Sequence, residues 1–461
     1  MENAIGSTNM TGRTIVEALE RALRRGPQSA AHLLATLRVS QPTLSRALRG
    51  LGPAAASFRI PGERAPRYAL LRQLPMGLDS RQRISRVLRT GSIEPFAEVE
   101  FLAGGGTLER IGRATRLYEG LPPYMAFAAP SGFLGRQVAF NAAQSEPGFP
   151  ENLRDWSEDH RIAFLFTRGL NLSGNLVFGE GPLQRELDLR QLPPTPAADR
   201  LEHYEALASA LREAAYGSSA GGEQPKFLVL AEDVGHVIVK FARRGSRMAE
   251  LLPMEHLALQ ALGSVGVPAS RTQVFASAAH VFLEVQRFDR IGATGRVGML
   301  SAGSVDDEFF GQRQSWPQFA ARCAQERYIS ARDACFIDIM AAFSELIGNN
   351  DRHHENISLL IGDDGEYAGV APAYDILPMR YATLGGGVDP ELTPINPTVG
   401  TIGAQPQVWD AAAKAAEAFW TAVQRAKLAA PISKPFRELA AANLAVARAF
   451  VAPLLPATQG T

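Results

Sequence analysis

The sequence predicts an α+β protein built from several domains. Three observations lead there. At 461 residues the chain is longer than one ordinary core encloses, so two or three domains are expected. Its opening residues read as helix, helix, helix, hairpin. Beyond them, extended runs gather in a Gly/Pro-punctuated stretch and are then mixed with helical periods.

The opening helices follow from periodicity and caps. "RTIVEALERALRR" (13–25) repeats Ile15, Leu19 and Leu23 at helical spacing, with Val16 beside them. Ser29 is placed to cap a short helix ending near Val39. Ser40 is placed to cap a third helix with Leu44, Ala47 and Leu51 on one side. "ASFRIPGERAPRYALLR" (56–72) reads as two extended runs around a Pro-Gly turn. This is the order of a winged helix-turn-helix, expected over residues 1–78. Its third helix would set Gln41, Thr43, Ser45 and Arg46 near base edges of double-stranded DNA, with Arg46 and Arg49 reaching phosphates. Charge points the same way. Residues 1–80 hold eleven Arg against five acidic residues, a net of about +6, while the whole chain is neutral. The plainer reading is a small helical module used for dimerisation.

An apolar fraction of 46% and a charged fraction of 20% are those of a soluble globular protein. Cys323 and Cys335 are the two cysteines, in no metal-ligand spacing and too few for a disulfide framework, so a reducing cytoplasm is expected. No basic segment followed by an apolar one opens the chain, and no apolar run reaches the roughly 18 residues of a membrane span, so neither a signal peptide nor a membrane segment is expected.

Residues 79–190 carry no recognisable chemistry. "AEVEFLA" (97–103), "YMAFAAP" (124–130) and "IAFLFTRG" (162–169) read as extended runs of a β-rich subdomain. The triple glycine 104–106 precedes no Lys or Ser/Thr at phosphate-loop spacing and reads as a hairpin turn. "QLPPTPAAD" (191–199) is a Pro-rich break.

The chemistry lies in residues 191–461. "YGSSAGGEQPKFLVL" (216–230) is a Gly/Ser loop entering a strand; small residues there let backbone N–H groups approach an anion, although the Walker pattern is absent. "HVIVKFARR" (236–244) alternates as a strand and carries Lys240. The chain uses Lys at only five of its 47 basic positions, so Lys240 and Lys226 stand out. An ammonium is a compact charge that fits between phosphates where a guanidinium does not. "MAELLPMEHLALQALGSVGVP" (248–268) reads as a helix whose Glu250 or Glu255 could pair with such a lysine. "HVFLEVQRFDRIG" (280–292) is a strand with a polar exit. A helix over 331–348 then delivers "NDRHHENISLL" (350–360). Asp351 and Asn356 stand five apart, the offset of a phosphoryl-transfer loop in which the Asp takes a hydroxyl proton and the Asn holds Mg²⁺. A strand, an Asp-Gly hairpin and a second strand return Asp375 to the same place as a further Mg²⁺ ligand. His353, His354 and Glu355 could instead ligate a metal, but adjacent loop histidines do not readily face one ion, and no HExxH helix is present.

"SAGGEQPK" (219–226), "VIVK" (237–240), "QRFDR" (286–290), "NDRHHENISLL" and "YDILP" (374–378), taken together and in this order, resemble the HipA-like serine/threonine kinases of bacterial toxin–antitoxin systems. The resemblance spans most of residues 95–450. It implies a two-lobed, HipA-type atypical protein kinase fold that uses ATP and Mg²⁺, with a nucleotide-binding lobe to about residue 300 and a mostly helical lobe after it. It makes Asp351 the catalytic residue and Asn356 and Asp375 the Mg²⁺ ligands. It makes Lys240 the phosphate-binding lysine, and Gly221, Gly222, Glu223, Gln224, Pro225 and Lys226 the phosphate loop. Gln286, Arg287 and Phe288 become the adenine hinge, and His353, His354, Glu355 and Tyr374 further nucleotide contacts. Ser219, with Ser218 beside it, matches the serine on which the family autophosphorylates. The family is also similar in arresting growth, in the best-known cases by phosphorylating an aminoacyl-tRNA synthetase. Its DNA-binding antitoxin is normally a separate protein. The fused winged helix is similar to the YjjJ-type branch, and leaves open both a separate antitoxin and a homodimer. A nucleotide-sensing regulator with an inactive kinase-like body is the alternative expectation.

Overall fold

A computed structural model describes residues 12–215, 224–384, 387–430 and 432–456. The chain begins with α1 (Gly12–Leu23), β1 (Gln28–Ser29), α2 (Ala30–Leu37), α3 (Gln41–Gly50), β2 (Ala55–Phe58) and β3 (Arg67–Leu70). Leu19, Leu23, Leu33, Leu37, Leu44 and Leu70 close one small core. Ser29 caps α2 by accepting from the His32 amide at 3.2 Å. The three strands form an antiparallel sheet in the order β1-β3-β2.

This module is joined to the next sheet by backbone hydrogen bonds. The Ala103 amide donates to Leu70 O and the Arg72 amide to Phe101 O, both at 2.8 Å, with an antiparallel bridge between Leu71 and Leu102. The triple-glycine turn sits at the joint. Gly104 has φ +84°, and a Cβ there would lie 2.8 Å from the Gly26 nitrogen. No other residue fits without displacing backbone.

The second sheet is built from β4 (Arg81–Val87), β5 (Ile93–Phe101), β6 (Thr107–Ile111), β7 (Ala114–Tyr118) and β8 (Leu176–Phe178), antiparallel in the order β7-β6-β5-β4-β8. Between β7 and β8 run α4 (Pro123–Ala128), α5 (Gly132–Ser145) and α6 (Glu158–Arg168), and α7 (Glu180–Leu189) follows β8. Two of the three expected extended runs are therefore helical: 124–130 lies largely in α4 and 162–169 in α6. α6 opens with a capping box between Ser157 and His160, and Glu158 and Asp159 favour its N-terminus. Ile162 to Phe166 are five consecutive buried apolar residues, a run that reads in sequence as well for a buried strand as for a helix. α4 starts at Pro123, where a missing N–H costs nothing.

The last part begins with α8 (Arg200–Ala215), β9 (Lys226–Ala231), β10 (Gly235–Arg243), α9 (Arg247–Ser264), β11 (Thr272–Ala276) and β12 (His280–Gln286). Its antiparallel sheet has the order β11-β12-β10-β9. The short pair β13 (Arg290–Ile291) and β14 (Gly295–Arg296) follows, then β15 (Gly298–Ser301), α10 (Ala302–Phe309), α11 (Trp316–Gln325) and α12 (Ala331–Ile347). β16 (Ser358–Ile361) and β17 (Tyr367–Val370) form a hairpin beside β15, and α13 (Pro406–Arg425) and α14 (Lys434–Val451) close the chain. Trp316, Phe343, Trp409, Phe419, Trp420 and Phe436 fill the largest core, and the Trp420 indole donates to Leu346 O at 3.0 Å. Among the described residues, no helix is long and apolar enough to cross a membrane.

Candidate active site

The site is assembled where the β10 sheet meets the helices after it. Along β10, alternation sends Val237, Val239 and Phe241 into the core shared with Tyr204 of α8. Lys240 and Ala242 point to the other face, where α9 crosses and Ala242 packs on Leu252. Lys240 Nζ donates to Glu255 Oε1 at 2.7 Å, to Glu255 Oε2 at 2.8 Å and to Asp375. Of the two acidic residues on α9, Glu255 is thus the partner; Glu250 turns away and accepts from the Ser433 amide at 3.1 Å. Lys226 stands opposite Lys240 in the β9–β10 register.

Burial and charge act on each member of this triad. Burial opposes the charge on Lys240, but the Asp375 and Glu255 carboxylates outweigh it and raise its pKa. Burial also pushes Asp375 upward, and Lys240 and Lys226 overcome it and hold the carboxyl below its usual range. For Glu255 burial dominates and the shift is upward. Asp375 has φ +55°, a left-handed backbone in a residue other than glycine, placed where its side chain meets Lys240.

The loop carrying Asp351 begins at Gly348, which ends α12 in the left-handed region at φ +76°. Asn349 Oδ1 accepts from the Asp351 amide at 3.1 Å, and Asn356 Nδ2 donates to Asp351 O at 2.9 Å. Two carboxamides thus fix the loop from either end. The Asp351 side chain stays 46% exposed while Asn356 is buried. Tyr374, next to Asp375, donates from its hydroxyl to Glu355 O at 2.7 Å and lies 2.8 Å from Ser358 Oγ, tying the hairpin's end to the loop.

The donor set suits a hard cation. Asp375 offers a carboxylate and Asn356 an amide oxygen to which no described residue donates. Among the described residues, no three His, Cys, Asp or Glu side chains gather as a full ligand cage. One or two protein oxygens, with water and phosphate completing the shell, is the way Mg²⁺ is held.

The two histidines part company. His353 is half-exposed, 3.7 Å from Asp351 and 3.4 Å from Glu355, and Glu355 chiefly raises its pKa. Glu355 is pushed down to about 2 by His353, with burial opposing and Arg313 assisting. His354 is buried with its ring edge-on to Phe319 at 5.7 Å, and burial lowers its pKa. The nucleotide contact expected at His354 falls on a side chain packed in the core.

The expected adenine hinge, Gln286 to Phe288, leaves the end of β12. Gln286 donates to Val234 O and the Arg287 amide to His236 O, both at 2.9 Å, so this turn is stitched to the neighbouring strands. The Arg287 guanidinium points backward into a buried cluster with Asp289, Arg290 and Asn171. Phe288 alone faces forward, its ring 5.6 Å from that of Tyr374. Sequence reasoning missed both the cluster and the ring contact; the signal was the alternation of charge around Phe288 in "RFDR".

Gln224 donates to Phe241 O, and Pro225 O accepts from the Phe241 amide at 3.0 Å, which seats the end of the Gly/Ser loop on β10. Ser218, Ser219, Gly221, Gly222 and Glu223 lie outside the described residues. On α3, Gln41, Arg46 and Arg49 are exposed, and Thr43 and Ser45 are half-buried.

Comparison with known proteins follows this geometry. The pattern described as "YjjJ-like toxin, middle domain" matches residues 78–187, and that described as "HipA-like C-terminal domain" matches residues 218–442. The curated protein "Toxin YjjJ" of Escherichia coli (strain K12) is 32% identical over 430 residues, 91% of this chain and 94% of that protein. Among solved structures, a chain from the Shewanella oneidensis MR-1 complex of HipA, HipB and operator DNA superposes with a TM-score of 0.51 at 14% identity, covering 80% of this chain and 97% of that one. At that identity the likeness concerns the fold, and it agrees with the mixed helix and sheet architecture. Identity sustained over nearly the full length of both proteins shows that the chain belongs to the HipA-like toxin family, in the branch of toxin YjjJ.

Proposed function

We propose that this chain is an ATP- and Mg²⁺-dependent protein serine/threonine kinase of the HipA toxin type. The observation that carries the reading is the Lys240–Glu255–Asp375 triad in one chain with the Asp351–Asn356 loop, tied to it through Tyr374. Lys240 and Lys226 would neutralise phosphate oxygens. Asn356 and Asp375 would hold Mg²⁺, which would supply neutralisation of the phosphate charge. The exposed Asp351 carboxylate would orient the incoming hydroxyl and take its proton. The hydroxyl oxygen forms a bond to the γ-phosphorus as the bond to the β-phosphate oxygen breaks, and ADP leaves with that electron pair. Ser218 or Ser219 is the hydroxyl in cis, and a protein such as an aminoacyl-tRNA synthetase is the target in trans that the family resemblance suggests.

The N-terminal module reads as a winged helix that binds duplex DNA in cis. Its support is the three-helix and three-strand order, the exposed Gln41, Arg46 and Arg49 on α3, and the net positive charge of residues 1–80. The work of a separate DNA-binding antitoxin would then lie within the same chain.

The test is nucleotide binding and phosphoryl transfer, side by side, in wild type and Asp351→Ala. The proposal expects the variant to bind ATP·Mg²⁺ within about threefold of wild type and to lose at least about 10²-fold in transfer. A variant that transfers at the wild-type rate removes Asp351 from the chemistry. A wild type that binds ATP and transfers nothing favours the nucleotide-sensing regulator.

A further inference from the structure

Behind the site lies a cluster that the proposed chemistry does not use. Arg287 and Arg290 are both buried, and one carboxylate, Asp289, serves them both. Arg287 Nε and Nη2 donate to Asp289 Oδ1 and Oδ2 at 2.9 and 2.8 Å, and Arg290 Nη1 donates to Oδ2 at 2.7 Å. Two cations against one anion leave a charge and many donors unanswered. The loop between α6 and β8 answers most of the donors, though not the charge, and Arg290 Nε keeps no partner among the described residues. Asn171 Oδ1 accepts from Arg287 Nη1 at 2.8 Å and from Arg290 Nη2 at 3.1 Å. Leu172 O accepts from both guanidiniums at 3.2 and 2.6 Å, and Gly174 O from Arg290 at 2.9 Å. The Gly174 amide returns a bond to Asp289 at 2.9 Å. Asn171 itself sits at φ +52°, a conformation Asn tolerates better than most residues.

Phe288 is held within this clamp, between two residues whose side chains it cannot follow. Its ring meets Tyr374, and the Tyr374 hydroxyl holds Glu355 O in the loop that carries Asp351 and Asn356. Continuous contacts therefore run from residue 171, in the segment matched as the YjjJ-like middle domain, to both acidic arms of the site.

We infer that Asn171 is a positioning residue: through Arg287 and Arg290 it sets Phe288 against Tyr374, so that the middle domain holds the nucleotide end of the site in its binding geometry. The inference rests on the proposed nucleotide reading for its consequence, but not for the coupling itself. Asn171 touches no reacting atom. Its work is to supply the side-chain acceptor that two buried guanidiniums share, beside the backbone oxygen of Leu172.

Asn171→Gly in the full chain isolates that acceptor. Glycine accepts the left-handed backbone, so the loop keeps its path and loses the carboxamide, while the residue 171 backbone oxygen that accepts from Arg287 at 3.2 Å stays. Asn171→Asp is the conservative counterpart, since a carboxylate can accept from both guanidiniums and balances the spare charge. Two readouts are taken: hydrogen exchange without nucleotide, and the ATP·Mg²⁺ dissociation constant by calorimetry. For Asn171→Gly we expect faster exchange at residues 286–290 and 353–358, not only at 169–175. We also expect about tenfold weaker ATP binding, within the usual range for coupled sites. Asn171→Asp should stay within about twofold of wild type on both. Faster exchange confined to 169–175, or both variants binding as wild type does, overturns the inference. If the wild type binds no ATP while exchange still spreads to 353–358, the positioning chain stands and the nucleotide reading fails.

Discussion

Lys240 is where stability and the proposed chemistry meet in one residue. Its ammonium sits between Glu255 and Asp375, and the Glu255 side chain is only 1% exposed. Lys240→Met leaves two carboxylates facing each other without a cation, and breaking a buried pair in this way costs about 3–5 kcal/mol. Urea unfolding of the variant should show that loss near pH 8, together with the loss of phosphoryl transfer. The loss should shrink with acidity. In the variant Glu255 keeps its burial and loses Lys240, so its pKa moves further up, and the penalty disappears as pH falls below the value it has unfolded. In the wild type Asp375 is held low, and the stability this supplies is itself lost on acidification. Both effects narrow the gap between the two proteins from pH 8 towards pH 4. A gap that widens would contradict the triad.

At the scale of elements, the joint between the N-terminal module and the second sheet turns on Gly104. A side chain there would meet the backbone of Gly26 and Arg25 at 2.8–2.9 Å, in a left-handed conformation. Gly104→Val should cost about 2 kcal/mol or more and let the module swing from the β5–β6 turn. Limited proteolysis should then cut between residues 70 and 80 several times faster than in wild type; an unchanged rate would mean that the joint does not depend on this close approach.

Elements were legible in the sequence where the pattern is local. The α12 helix, the Gly348 stop, the Asp-Gly hairpin between β16 and β17 and the alternation of β10 are all read from a few neighbouring residues. α6 was not, because its middle is a short continuous apolar run that fits a buried strand equally well. Side-chain direction was legible only in part. Lys240, Glu255 and Asp375 come together as strand, helix and hairpin geometry requires, whereas the choice of Glu255 over Glu250, the burial of His354 and the backward turn of Arg287 depend on packing partners far away in sequence.

In the whole molecule the middle sheet is bonded on both sides. Strand hydrogen bonds fix it to the N-terminal module, and the Asn171 loop fixes it to the lobe that carries Lys240. The proposed DNA-binding and catalytic parts therefore share one frame, joined by hydrogen-bonded contacts on both sides of the middle sheet. For the module, Arg46→Ala should weaken duplex binding across sequences and lower the slope of log affinity against log salt by about 1, as expected when one phosphate contact is lost. Binding that is insensitive to salt in the wild type would remove the module from DNA. For the catalytic lobe, the most direct measurement is peptide mapping by mass spectrometry after incubation of the full chain with ATP and Mg²⁺. The account predicts one phosphoryl group on Ser218 or Ser219 in wild type and none in Asp351→Ala. Wild-type protein that binds ATP yet remains unmodified, and that labels no hydroxyl on any added protein, would contradict the central claim.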